Sequence, residues 1–381
     1  MNMRRLRRQW PLAVSCVLAL LVLTETTLRL SLGTLPLLVR SRIRTHPRFS
    51  SVAHPYVGHL NKAGSDTDPY GFRNDWPWPA TPGIVTLGDS VTLGNGVDQA
   101  EAWPAFLGRA FPEEGLVNLA LGASGPQQYL RVFETFGVDL RAKLVLIGFF
   151  ARNDFWDAAK FDAWLRSGAG GNYLVWRDTG APPTVSLSLR QPAEKLVRSA
   201  VWRGELVART TYVGNALFHT SRHFGSPAAS DSPEVYQSPE GERLELQPED
   251  FLSATRRAQP GTHAFRHVLA TLARIHSLAR ENGGRAAVVF VPSKEEVYLP
   301  LVGEDCPDSA ASLRAALEAV GIPALNLLHE FRRRAAEGEV LFFEDKESPL
   351  PNARGHALIA ELAIEHLQQH VDRYGLQVRG Q

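Results

Sequence analysis

The sequence predicts an α/β domain, a three-layer α/β/α sandwich around a mostly parallel sheet with one large insertion. Three observations predict it. Short apolar and β-branched runs at 84–88, 116–120 and 144–150 alternate with segments of helical period, the pattern of a parallel sheet covered on both faces. Each run ends in a turn that carries a small or polar residue: Ser90, Gly122 and Asn153. A second alternating block runs from His263 to Val371.

The first element is Ile84-Val85-Thr86-Leu87-Gly88, followed by Asp89-Ser90-Val91-Thr92-Leu93-Gly94. It reads as a buried strand that breaks at Gly88 and delivers Ser90 to the start of a helix. An ordinary capped junction has the same look. A serine there also sets a hydroxyl beside free backbone N–H groups, as a nucleophile with an oxyanion site requires. Glu101 to Phe111 is an amphipathic helix, with Trp103, Phe106, Leu107, Ala110 and Phe111 on its apolar face. Leu116–Ala120 is the second strand and ends in the turn Leu121-Gly122-Ala123-Ser124-Gly125. Tyr129 to Phe136 reads as helix. Leu144–Phe150 is the third strand, followed by Ala151-Arg152-Asn153-Asp154. Open α/β folds build their sites at such strand ends.

After the insertion, His263 to Arg280 is an amphipathic helix and Ala286–Pro292 a buried strand. Ser309 to Val320 is helical, Pro323–Leu327 is the last strand, and Arg354 to Val371 closes the chain as a helix.

In these strand-end turns the sequence resembles the SGNH (GDSL-type) hydrolase superfamily. The resemblance rests on Gly88-Asp89-Ser90-Val91-Thr92-Leu93-Gly94, on Gly122 and on Asn153-Asp154, and it covers 84–154 and 284–371. It implies a flavodoxin-like three-layer fold with Ser90 as nucleophile. It also implies an oxyanion hole from the Ser90 and Gly122 N–H groups and the Asn153 amide. Three converging neutral donors suit the charge that develops on one oxygen during acyl transfer.

The family's Asp and His are expected just before the last helix, where the chain reads Ser348-Pro349-Leu350-Pro351-Asn352-Ala353-Arg354-Gly355-His356. The frame fits the family, but Ser348 stands at the Asp position and Leu350 at the His position. Leucine cannot accept a proton. Substitute bases are His356 and Asp345, then Glu347, with His219 and His223 from the insertion. The competing reading is a homologue that binds a ligand without turning it over.

Residues 155–261 form an insertion of about a hundred residues, beyond ordinary loop length. Trp156, Trp164, Tyr173, Trp176, Trp202, Tyr212 and Tyr236 make it aromatic-rich. Such rings pack a cap or stack on sugar faces. Residues 41–83, with Pro47, Pro55, Pro69, Pro77, Pro79 and Pro82, read as an irregular connecting segment.

The N-terminus carries Arg4, Arg5, Arg7 and Arg8 before an apolar stretch, Trp10 to Leu30, within a segment ending near residue 40. A basic flank before an apolar run predicts export. The length suits a single-pass anchor, with Glu25 and Arg29 paired near its end. A signal peptide is the alternative, although no small-x-small cleavage site is obvious. The expected location is a membrane-anchored, exported body (periplasmic or extracytoplasmic), or secretion if the segment is cleaved.

The chain has 381 residues, 44% hydrophobic and 21% charged, so it is globular with a substantial core. A net charge of +1 gives no footprint for nucleic acid. Only Cys16 and Cys306 are present, and no spacing suits a zinc site. No metal or cofactor is expected. The expected partners are an ester-bearing small molecule or an acylated polysaccharide of the cell envelope, and the membrane through the N-terminal helix. The expected activity is that of an esterase, an O-acetyl esterase or acyltransferase included. The alternative is an inactive, membrane-tethered carbohydrate-binding or assembly protein.

Overall fold

Period-two alternation within the strands divides the core into two halves, one on each face of a parallel sheet. A computed structural model describes residues 51–64, 66–168, 170–179, 234–344 and 348–377, and a few helical residues between 19 and 27. The body is one unit, residues 51–182 with 232–381; residues 1–50 with 183–231 form the other, of which only those few helical residues are described.

The strands are β1 (Ser51–His54), β2 (Gly58–Asn61), β3 (Ile84–Gly88), β4 (Leu116–Asn118), β5 (Leu144–Phe150), β6 (Glu234–Gln237), β7 (Arg243–Leu246), β8 (Arg285–Val291) and β9 (Ala324–Asn326). Five form the main sheet in the order β4-β3-β5-β8-β9, every pairing parallel. Val85, Leu87, Val145, Ile147, Phe149, Val288 and Phe290 point into one apolar cluster, with the helices Pro126–Val132 and His263–Glu281. Ile84, Leu144, Leu146, Phe150, Val289 and Val291 point into the other, with the helices Trp103–Ala110 and Ala353–Gln369. The fold is the three-layer α/β sandwich that the alternation predicts.

The chain leaves β3 for β4 on one side and returns across it to β5 on the other. Strand order therefore reverses at β3 and β5, where open α/β sheets leave a crevice beyond the C-terminal strand ends. Ser90 follows β3 and Asn153 follows β5. Gly88 and Gly148 are register partners there. A Cβ on either would lie within 2.2 Å of the Thr92 hydroxyl. Two bare backbones thus let the short helix Ser90–Leu93 press down on the sheet.

One segment differs from the sequence reading. The connecting segment is not irregular throughout, because β1 and β2 form an antiparallel hairpin. Four-residue strands are too short to show a period, which is why the hairpin left no signal. Arg73 from the next loop donates to the carbonyls of Leu93, Gly94 and Val97, bracing the C-terminal end of the Ser90 helix. The described parts of the insertion pack as core. Phe155 and Ala158 enter the first cluster; Tyr236, Leu244, Leu246 and Phe251 enter the second. Trp164 and Tyr173 are buried with Phe161 in a small cluster of their own. Trp202, Tyr212, His219 and His223 lie outside the described residues. Among the described residues no helix is long and apolar enough to cross a membrane, and most of Trp10–Leu30 lies outside them.

Candidate active site

Asp89 caps the helix Ser90–Leu93, its carboxylate accepting the Val91 N–H at 2.8 Å. This cap holds Ser90 at the first helical position. The Ser90 hydroxyl donates to the other Asp89 oxygen at 3.4 Å, a long bond with little strength. Among the described residues no acceptor is bonded to the backbone N–H of Ser90 or of Gly122. Both donors that the resemblance implies are thus open.

The Gly122 turn is held on three sides. Leu121 N–H donates to the Gly88 carbonyl at 3.0 Å. A Cβ on Gly125 would lie 2.9 Å from the Ala158 backbone, so the turn abuts the helix Asp154–Arg166. The third hold is His59, fully buried on β2, whose Nε2 lies 3.0 Å from the Gly122 carbonyl. Burial pushes the His59 pKa down to about 4, against the pull of that carbonyl. The ring is therefore neutral near pH 7 and donates from Nε2. Ala123, next in the chain, adopts a left-handed φ of 57°.

Asn153 departs from expectation. Its Nδ2 donates to Asp89 Oδ2 at 3.1 Å and to Asp157 Oδ2 at 2.8 Å. An amide carries only two such hydrogens, so both are committed to carboxylates. The Asn153 Oδ1 is buried without a partner. Asp157 is itself fully buried and pairs with Arg177 at 2.7 Å. The chain of contacts runs Ser90, Asp89, Asn153, Asp157, Arg177. The amide that the resemblance implies as a third oxyanion donor is thus turned inward.

Neither Asp157 nor Arg177 was found by reading the sequence. Asp157 lies four residues after Asn153, the helical spacing that puts both on one face; that was the available signal. His59 and Arg177 lie far from the other site residues in sequence and left none.

The expected base is absent from the described site. Leu350 packs partly buried against the second apolar cluster, and its carbonyl accepts the Phe343 N–H. The Ser348 carbonyl accepts from Lys294 at 3.3 Å. The frame around them is firm: Asn352 caps the helix Ala353–Gln369 through the Gly355 N–H and donates to the Val340 and Phe342 carbonyls. His356 is not brought to Ser90. It is fully buried, its Nδ1 accepts the Trp103 N–H at 3.4 Å, and burial pushes its pKa down to about 3. A base that weak takes no proton from serine near pH 7. Asp345 and Glu347 lie outside the described residues. No group of three or more His, Cys, Asp or Glu side chains is placed to hold a metal ion among the described residues.

Asp89 yields a pH prediction. Burial raises its pKa from 3.8 to about 6, against the Val91 and Asn153 donors that lower it. Between about pH 4 and 6 the folded protein holds a proton there that the unfolded chain has released, so this contribution to stability falls as pH rises through the window. Relative to Asp89→Asn, the wild type should lose up to about 3 kcal/mol from the low end to the high end. Urea unfolding of both proteins across that range checks it, and a flat difference contradicts it.

No family model and no curated protein matches the sequence. Among solved structures, the chain is similar to a member of the lipolytic protein G-D-S-L family from Veillonella parvula. Identity is 12% and the TM-score 0.36, over 75% of this chain and 98% of that one. A GDSL-like lipase from Bacteroides thetaiotaomicron matches at 12% identity and a TM-score of 0.33, over 76% of this chain and 89% of that one. A salicylyl-acyltransferase from a tetracycline biosynthetic pathway matches at 14% identity and a TM-score of 0.26, over 84% of this chain and 60% of that one.

Proposed function

We propose that this chain carries an SGNH-type site which receives an ester or acyl group at Ser90 and has lost the proton-transfer pair that would make it an efficient hydrolase. One observation carries the reading: the hydrogen-bond partner of the Ser90 hydroxyl is Asp89, with Leu350 where a histidine is needed. Loss of the base costs several orders of magnitude in rate, while open oxyanion donors keep a residue of it. The expected result is very slow cleavage of an acetyl ester by the full chain, reduced further by Ser90→Ala. Robust turnover that depends on Ser90 overturns the proposal.

The second reading is a working esterase or acyltransferase whose base comes from outside the described residues, His219, His223 or Asp345. The open N–H groups of Ser90 and Gly122 favour it. Replacing each candidate in turn separates the readings, since only a true base would abolish Ser90-dependent turnover and shift its pH profile. In either reading the substrate is an ester-bearing small molecule or an acylated envelope polysaccharide. The basic flank and apolar run of the N-terminus support an exported body held at the membrane. Protease accessibility in spheroplasts tests that topology; a body protected until the cells are lysed is cytoplasmic.

A further inference from the structure

Exposed apolar groups near the N-terminal end of the body gather around the turn Phe133–Gly137, where Tyr70 meets the Phe136 ring and the Tyr56 hydroxyl donates to Glu134. Val52, Tyr56, Tyr70 and Trp76 are 46%, 42%, 46% and 52% exposed. Single exposed apolar residues need no explanation, but a grouped set does. The rings of Tyr70 and Trp76 meet edge to face at 5.5 Å, and Tyr70 also reaches Trp78 at 5.1 Å. The Arg131 guanidinium lies 4.3 Å over the Tyr56 ring.

Part of this face is held by a buried group. Asp68, only 3% exposed, accepts the Trp78 indole N–H at 2.7 Å, the Tyr70 and Phe72 N–H groups, and the Asn74 amide. Four donors on one buried carboxylate fix the loop that carries Tyr70.

The chain outside the body indicates what meets this face. β1 begins at Ser51, one residue before Val52, and is preceded by the apolar run Trp10–Leu30 with its arginine flank. Residues 31–50 can span at most about 70 Å, at 3.3–3.6 Å per residue. Tryptophan and tyrosine, with an apolar ring and a polar edge, settle at the headgroup level of a bilayer.

We propose that this aromatic face rests on the lipid surface into which the N-terminal segment inserts. The proposal depends on the tether reading above. The full chain, with Cys16→Ser and Cys306→Ser, is labelled at Trp76→Cys or Tyr56→Cys with an environment-sensitive fluorophore. Val320→Cys is the control, 58% exposed at the β9 edge, opposite the β4 edge where Asn74 meets Asn118. The proteins are reconstituted in phosphatidylcholine–phosphatidylglycerol vesicles carrying doxyl-labelled lipid.

The expected result is co-flotation with the vesicles, with position 76 and 56 labels quenched several-fold more by doxyl lipid than the control and shielded from aqueous iodide. Co-flotation with labels that respond like the control overturns the face and leaves the tether standing. Labels shielded from both quenchers mean that other parts of the chain cover the face, which also overturns it. Failure to float overturns tether and face together.

Discussion

Restoring the missing pair should turn the chain into a measurable esterase. Ser348→Asp with Leu350→His is expected to raise acetyl-ester hydrolysis by about 10²–10⁴-fold, the range of a positioned general base. The frame needed to aim the new histidine is already present. Phe342 and Pro351 form an antiparallel bridge, and Asn352 caps the helix that follows. Gly355 lets that helix approach the Leu341 carbonyl, where a Cβ would sit 2.2 Å away. The gain should vanish with Ser90→Ala. Adding Asp157→Ala tests the occupied amide: with that acceptor removed, one hydrogen of Asn153 is freed and the rate should rise further, since one oxyanion donor is worth about 10²–10³ in kcat. A well-folded double variant with no gain would show that Leu350 does not occupy the histidine's place. Steady-state kinetics with circular dichroism on the same samples decides it.

The largest stability effect is expected at Arg152, the residue between β5 and Asn153. Its guanidinium pairs with Glu295, whose side chain is fully buried while that of Arg152 is 12% exposed. Arg152 also donates to Gln247, and the Gln247 N–H donates to Glu295. Arg152→Ala leaves the Glu295 charge buried, facing the neutral Gln247 N–H. Breaking such a pair typically costs about 3–5 kcal/mol. Arg152→Ala with Glu295→Gln should recover much of that loss, because the uncompensated charge is gone while an acceptor remains for Gln247. The check is the denaturant midpoint of full-length protein at constant m-value. A loss below about 1 kcal/mol for the single variant, the range of an exposed pair, would mean that the pair is solvated in solution. Because Arg152 adjoins Asn153, the single variant should also weaken any Ser90-dependent turnover.

The architecture was legible because it is written in local patterns. Val85 and Leu87, then Val145, Ile147 and Phe149, lie on one side of the sheet by simple alternation. The turns that end those strands announce themselves by Gly88, Gly122 and Asn153. The departure from the resemblance at Leu350 was equally visible, since it sits within a short run whose other members fit it. By contrast, the proline-rich segment before β3 read as a lead-in, yet it contributes Arg73 and His59 to the supports of Ser90 and Gly122.

Local chain chemistry, then, determined the sheet, the three strand-end positions and the presence of Ser348 and Leu350 in the run before the helix Ala353–Gln369. Only the folded arrangement decided that the Asn153 amide faces Asp89 and Asp157, that Arg177 closes that network, and that His356 is walled into the core. It also decided that the charged run Lys294-Glu295-Glu296 is buried beside β8. The reason is physical. Periodicity and turn preference are properties of a few adjacent residues. The state of a buried carboxylate or amide depends on which distant segment is packed against it, and a charge leaves water only where such a partner is waiting.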